Sequence, residues 1–433
     1  MDRETAMASE LLEIAKDTTV VQSLSPDMYS FSWAGEYYKI GSATYPKYQS
    51  LPKELLAYSK AEKRCSVEYI TRLLQGLIVI LMLEGGRSAI GVDDAKPRIV
   101  VLLEILSHTW PERTVLHELH GVMFIGRVRP VAIAGARVAR FTSRDKARLT
   151  ALYRARGKTF SDGEKRDEFL ALVKNRVDFL AIQAVAWCTY AAEDTRAEEL
   201  SLDTMRWVVI LFRYAYMSIS HNSGKTAIGI APHQTLANLV IAEDRVGTSY
   251  FDSAVRPREP LDYFFVFPST RAKMRQAGVF VLSSILEKSD NGKTLKDQSF
   301  QFALLQALQW VVDSLDQSNN ASKILSMTVA LETLFSEESF NVTSQVADGT
   351  AMVLTRDPEE RRKISKTMRG LYKKRSAAAH GGTTSISDAD VLEMQEKATL
   401  VIGVLCHHVS DYRLRSEFWS AISLAKRSGQ LFK

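Results

Sequence analysis

The chain has 433 residues, 46% of them hydrophobic and 24% charged, with 56 Lys and Arg against 50 Asp and Glu for a net charge of +6. That length suffices for two or three domains, each with its own core, and the composition excludes disorder, collagen and a small disulfide-stapled scaffold. Cys65, Cys188 and Cys406 are odd in number, far apart and outside any Cys-x-x-Cys pair, so neither a disulfide framework nor a cysteine zinc knuckle is expected and the chain reads as reduced and cytoplasmic.

Taken in chain order, the apolar spacing predicts long helices near residues 5–24, 60–84, 97–109, 164–191, 203–219 and 270–288. The start, Met1-Asp2-Arg3-Glu4-Thr5, has no basic region leading into an apolar stretch, so no signal peptide is expected. Leu77 to Leu83, the most apolar run, covers seven residues, whereas a membrane-spanning helix needs about 20. Strand-like patterns are few: Val122 to Ile133, interrupted by Pro130, and the aromatic run Tyr263 to Phe267. The polar stretch Lys288-Ser289-Asp290-Asn291-Gly292-Lys293 marks a boundary between an N-terminal, mainly helical module (1–290) and a C-terminal unit (296–433).

That second unit reads as a compact helical bundle. A helix near 298–316 carries Leu304, Leu308, Val311 and Leu315 on one stripe, and a second, 321–335, follows Asn319-Asn320. After a helix near 343–354, Asp357 as N-cap, Pro358 at the first helical position and Glu359-Glu360 in the first turn start a third long helix. It runs to about His380, where Gly381-Gly382 stops it, and Ser387-x-x-Asp390 resembles a capping box for a helix through His408.

The positive charge is uneven. Arg127 to Lys158 holds ten basic residues and one acid, Asp145, and Arg361 to Arg375 holds eight with no acid, while the remainder is acidic. Such windows suit a polyanion, because each neutralised phosphate releases counterions and adds salt-sensitive affinity. A solvated helix face is the plainer alternative for either window.

Chemistry concentrates at the end of the third helix, Leu371-Tyr372-Lys373-Lys374-Arg375-Ser376-Ala377-Ala378-Ala379-His380-Gly381-Gly382. Arg375 supplies a fixed, forked cation and His380 a group that titrates near neutrality, the parts that phosphodiester cleavage requires. Residues five apart on a regular helix lie about 140° apart, so the pair shares a face only if the helix loosens at the glycines or another chain completes the site. The plainer roles are a cation favourable to the helix C-terminus for Arg375 and a helix cap for His380. Three other signals are weaker. Ser223-Gly224-Lys225-Thr226 ends like a phosphate loop but has Ile219 where that motif needs glycine. His117-Glu118-Leu119-His120, with His108 nearby, lacks the zinc-protease spacing, and Cys406-His407-His408 points three ways around a helix.

Arg-x-x-x-x-His after Leu-Tyr and before Gly-Gly, some forty residues beyond Ala330-Leu331-Glu332-Thr333-Leu334-Phe335, resembles the HEPN superfamily and specifically its Apea-like branch, over residues 296–425. The resemblance implies a mainly α fold ending in a four- to five-helix bundle that dimerises, bringing Arg and His of both protomers to one cleft. It also implies metal-independent RNA cleavage without a cofactor, as a toxin-like or antiviral effector. On that basis Arg375 stabilises the phosphate, His380 transfers protons and Glu332 supports or orients them. Lys363, Lys366, Arg369, Lys373, Lys374 and Ser376 would hold RNA, tRNA or another structured RNA among them. The first 290 residues match no family by resemblance and are read as a module that senses a ligand or protein trigger. The alternative reading is a non-catalytic RNA- or nucleotide-binding regulator that uses the bundle to dimerise.

Overall fold

A computed structural model describes residues 2–23, 29–85, 90–108, 110, 112–140, 142–145, 147, 151, 184–220, 226, 228–230, 236–242, 246–251, 264–337, 341–379 and 385–428. The chain is mainly helical and forms two compact units. The first comprises residues 1–115, 189–201 and 240–245, and the second 116–188, 202–239 and 246–433. The contacts thus divide the chain elsewhere than at 290, and the polar turn at 288–293 lies inside the second unit.

In the first unit, α1 (Arg3–Lys16), α2 (Tyr45–Ser59), α3 (Val67–Gly85) and α4 (Val92–Ser107) pack around one core. Leu11, Ile14, Leu51, Leu55, Ile70, Ile78 and Ile99 are fully buried there. An antiparallel three-stranded sheet, β1 (Thr18–Val21), β2 (Ser30–Trp33) and β3 (Glu36–Ile40), takes the order β1-β3-β2. The β2–β3 turn, Ala34-Gly35, has positive φ at both residues, the two-residue hairpin geometry that matches strand twist. Glu193, buried, accepts bonds from the backbone amides of Ser66, Thr195 and Arg196 at 3.1, 2.7 and 3.1 Å. One carboxylate therefore caps the starts of two helices, α3 and the later α5 (Asp194–Ser220).

Beyond the first unit's own sheet, β4 (Glu112–His120), β6 (Val131–Ile133), β7 (Ala136–Arg140), β8 (Ala184–Ala191), β9 (Gly229–Ile230), β10 (Leu236–Ala242) and β11 (Val246–Phe251) form a seven-stranded sheet. Its order is β11-β10-β4-β8-β7-β6, with β9 on β4. A parallel pair joins β5 (Val122–Phe124) to β12 (Phe264–Val266). Within the spans expected to be strand, 122–133 and 263–267, the strands are Val122–Phe124, Val131–Ile133 and Phe264–Val266, but the helical expectation is corrected in three places, two of which involve strands. The helix expected over 5–24 ends at Lys16 and gives way to β1. Of the one expected over 164–191, residues 164–183 lie outside the described residues and 184–191 form β8. Ala184, Ala186 and Cys188 are buried on one face of that strand, and the opposite face runs from buried Val185 through half-buried Trp187 to exposed Thr189. With apolar residues at both parities from 184 to 188, the sequence lacks a period-two signature to separate it from a helix.

The second unit carries α5 (Asp194–Ser220) from Leu202 onward, α6 (Thr270–Gln276), α7 (Val279–Lys288), α8 (Phe300–Asp313), a 3₁₀ turn (Ser314–Asp316), α9 (Asn320–Phe335), α10 (Val342–Leu354), α11 (Pro358–Ala379), α12 (Asp388–His407) and α13 (Arg415–Ser428). The helix expected over 270–288 is two, because Gly278 takes φ +80° against Cys406, where a Cβ would come within 2.5 Å of the cysteine Cβ. The start signals read from sequence hold. Asn319 Oδ1 accepts from Ser322 N at 2.9 Å, Asp357 Oδ1 accepts from Glu359 N at 3.0 Å, and Ser387 with Asp390 closes a reciprocal capping box. α8 packs on α9, and α10 on α11, with α12 against α8, α9 and α10. Phe300, Phe335, Tyr412 and Phe418 form an aromatic cluster at one end, with Phe300 and Phe418 centroids 4.8 Å apart. Gly349 lets α10 approach α9, since a Cβ there would lie 2.5 Å from the Phe335 ring. The Tyr214 hydroxyl, 2.9 Å from Ala277 O and 3.1 Å from Thr399 O, ties α5 to α6 and α12.

Candidate functional site

Helix α11 is laid down by its own periodicity. Met368, Leu371 and Tyr372 are buried and Arg375 is half-buried, the i, i+3, i+4, i+7 stripe of one inward face. Across from it, α9 presents Glu332, half-buried on the turn before Leu334 and Phe335. The two helices thus bring together Glu332, Tyr372 and Arg375.

Electrostatically this cluster is poised rather than neutralised. Burial pushes the Glu332 carboxyl above the usual carboxylate range, and the Arg375 guanidinium opposes that rise. Tyr372, only 5% exposed, is pushed well above the usual phenol range by burial and by the neighbouring Glu332 charge. Its hydroxyl lies beside the Glu332 carboxylate without closing a hydrogen bond of good geometry, and Arg375 Nε is buried with no hydrogen-bond partner. A buried donor left unmatched costs stability, about 1–3 kcal/mol. His380, with Gly381 and Gly382, lies outside the described residues.

The rest of the basic helix is less free than its sequence suggests. Although Arg361 to Arg375 contains no acid, acids from outside the window answer several of its cations. Arg362 pairs with Glu359 at 2.6 Å, Lys363 with Glu360 at 2.7 Å, Arg369 with Asp348 at 3.0 Å and Lys374 with Asp390 at 2.7 Å. Lys374 ties α11 to α12 at its capping box. There burial pushes the Asp390 carboxyl up, but Lys374 and Ser387 outweigh it and hold it below its usual range. Lys366 and Lys373 have no ionic partner among the described residues, and Ser376 is exposed.

Asp348, Ala351 and Met352 of α10, Arg361, Arg362, Ser365, Lys366 and Arg369 of α11, and Lys426 of α13 line a cleft of about 510 Å³. The sequence places Arg361, Arg362, Lys366 and Arg369 in one basic window suited to a polyanion, but gives no sign that Asp348 and Lys426 join them and assigns Tyr372 no role. The α11 members follow the i+3, i+4 spacing from Arg362 through Lys366 and Arg369, a signal present in the sequence. Asp348 and Lys426 come from other helices and carry no such signal.

In the first basic window, Arg127, Arg129, Arg137, Arg140 and Arg144 are exposed, and Arg137 lies 5.7 Å from the Trp187 ring centre. Lys146, Arg148, Arg154, Arg156 and Lys158 lie outside the described residues, as do Ser223, Gly224 and Lys225 of the loop that ends like a phosphate loop. His117 and His120 sit on β4, where residues three apart face opposite sides of the sheet. Burial lowers the His120 pKa. His407 Nε2 lies 3.1 Å from Gln276 O and His408 Nδ1 2.9 Å from Asp411, while burial pushes the Cys406 thiol up. Among the described residues no group of three His, Cys, Asp or Glu is placed to hold a metal, and no helix is long and apolar enough to cross a membrane.

Compared with family models, curated proteins and solved structures, the chain matches none.

Proposed function

We propose that the C-terminal bundle is a HEPN-type endoribonuclease that cleaves RNA by metal-independent transesterification. The observation that carries this reading is the half-buried Arg375, with its Nε unmatched beside Glu332 and Tyr372, five residues before His380 in the sequence. In the reaction the 2′-oxygen attacks the adjacent phosphorus as its proton passes to a base. The bond to the 5′-oxygen then breaks, and that oxygen takes a proton, leaving a 2′,3′-cyclic phosphate and a 5′-hydroxyl. His380 serves as base or acid, Arg375 stabilises the charge gathered on the phosphate, and Glu332 orients Arg375. Lys363, Lys366, Arg369, Lys373, Lys374 and Ser376 hold the strand. By resemblance, two copies of the bundle pair to complete the site, and the N-terminal module receives the trigger of a toxin-like or antiviral response.

The cation-lined cleft on α11 favours a second reading, an RNA- or nucleotide-binding regulator without turnover. Both readings are tested by incubating total RNA and tRNA with wild-type protein, Arg375→Ala and His380→Ala in excess EDTA and reading the new 3′ ends. The ribonuclease gives EDTA-resistant cutting with cyclic-phosphate ends. Arg375→Ala lowers the rate by about 10²–10³, as loss of one charge-stabilising donor does elsewhere, and His380→Ala loses cleavage while still binding RNA. RNA binding without cutting by any of the three supports the regulator.

A further inference from the structure

The cleft between α10, α11 and α13 is not the Arg375 cluster. Five cations, Arg361, Arg362, Lys366, Arg369 and Lys426, line the cleft together with a single carboxylate, Asp348. That carboxylate is held by three groups: Ser365 Oγ at 2.9 Å, Arg369 Nη2 at 3.0 Å and Lys426 Nζ at 3.7 Å. Asp348 therefore answers two of the five cations, Arg369 and Lys426, from inside the cleft, while Arg362 is answered by Glu359 at its edge. Lys366 lines the same cleft with no ionic partner among the described residues. The floor, Ala351 and Met352, is apolar. Cations around an apolar floor are the fittings for a phosphate with a ribose or base beside it, and about 510 Å³ lies within the size of sites that take small ligands. A duplex is too wide to enter such a space.

The cleft also stands in a fixed relation to the Arg375 cluster. Lys366 and Arg375 are nine residues apart on one helix, about 13 Å along its axis. The same spacing carries Lys366 about half a turn round the helix from Arg375, so the cleft and the Arg375 cluster lie on opposite sides of α11, and a strand that reached both would pass around the helix.

We propose that this cleft is a second phosphate-binding site, which grips the backbone of a single-stranded RNA segment on the side of α11 away from Arg375, with Asp348 as the built-in competitor that the phosphate displaces. The identity of the ligand rests on the ribonuclease reading; the anion site rests on the cleft itself.

Binding is measured on the full-length protein with a labelled 2′-O-methyl oligouridylate a dozen nucleotides long, which lacks the attacking hydroxyl, over a range of salt concentrations. The double variant Arg369→Gln/Lys426→Gln weakens binding at least about tenfold and flattens the slope of log affinity against log salt by about 1.4, two single-strand phosphate contacts. Asp348→Asn, which removes the competitor, tightens binding several-fold, a gain that misfolding does not produce. Unchanged affinity in both variants overturns the proposal, as does failure of the wild-type protein to bind the oligonucleotide. ATP binding more tightly than the oligonucleotide, with the same dependence on Arg369 and Lys426, overturns it in favour of a free-nucleotide site. The two readings fail separately: normal RNA cleavage without these shifts sinks the second site alone, whereas the shifts without any cleavage leave the site and sink the ribonuclease.

Discussion

The two ends of α11 are both rich in cations and set them in opposite surroundings. From Glu359 to Arg369 the cations stand in water, and acids one turn back or on a neighbouring helix answer most of them; the Arg362 and Glu359 side chains are 77% and 70% exposed. From Leu371 to Arg375 the helix turns its stripe inward, and the tyrosine and arginine meet a single carboxylate on α9 that burial has already made reluctant to ionise. Charge count therefore does not locate a reactive site in this helix. Exposed pairs are screened and individually weak, whereas Arg375 carries a buried donor that no group among the described residues matches.

The comparison is broken most severely at Tyr372. Replacing it with Ala removes a buried ring between α9 and α11 and should cost about 3–5 kcal/mol, as aromatic truncation in a core does, read as a large drop in denaturation midpoint. Tyr372→Phe should leave stability almost unchanged, because the lost hydroxyl makes no well-formed hydrogen bond.

A smaller effect is expected at Glu332. Its pKa is raised in the folded state, so folding binds a proton in the interval between the unfolded and folded values. Its contribution to stability is thus fully present below the unfolded value and lost as pH rises through the folded one. Glu332→Gln should therefore be more stable than wild type at neutral pH, with the advantage vanishing as pH falls below about 4.5, the ordinary value for Glu. Thermal melts across that range, with an advantage that persists in acid, would refute burial as the cause. The smallest effect belongs to the outer half. A double-mutant cycle on Glu359→Ala and Arg362→Ala should give a coupling within experimental error at moderate salt, and a sizeable coupling would erase the contrast between the two halves.

How much of this was legible in the sequence follows from where each signal originates. The starts of α9, α11 and α12 are encoded within a few residues, by Asn319, by Asp357-Pro358 and by Ser387 with Asp390, and those elements begin where the local chemistry says. Glu332 and Arg375 were named before the geometry was known, and α9 and α11 do bring them together. The acids that answer the basic helix were not foreseen. Asp348 and Asp390 reach it from α10 and α12, so a window of sequence holding no acid becomes a surface holding several. β8 reads as helix in the sequence because the apolar Val185 and Trp187 stand between Ala184, Ala186 and Cys188, which share the buried face, so the strand's alternation is not written in residue type. The break at Gly278 was missed because its cause, the close approach of Cys406, is more than a hundred residues away.

Glu193 has a consequence for the motions of the first unit. Its two oxygens serve the amides of Ser66, at the entry of α3, and of Thr195 and Arg196, in the first turn of α5, 127 residues or more further along the chain. Fraying of either helix start leaves the same carboxylate short of donors, so opening one end raises the cost of holding the other. The three amide protons then exchange with solvent as members of one local opening event, although the chain presents them as two unrelated helix ends.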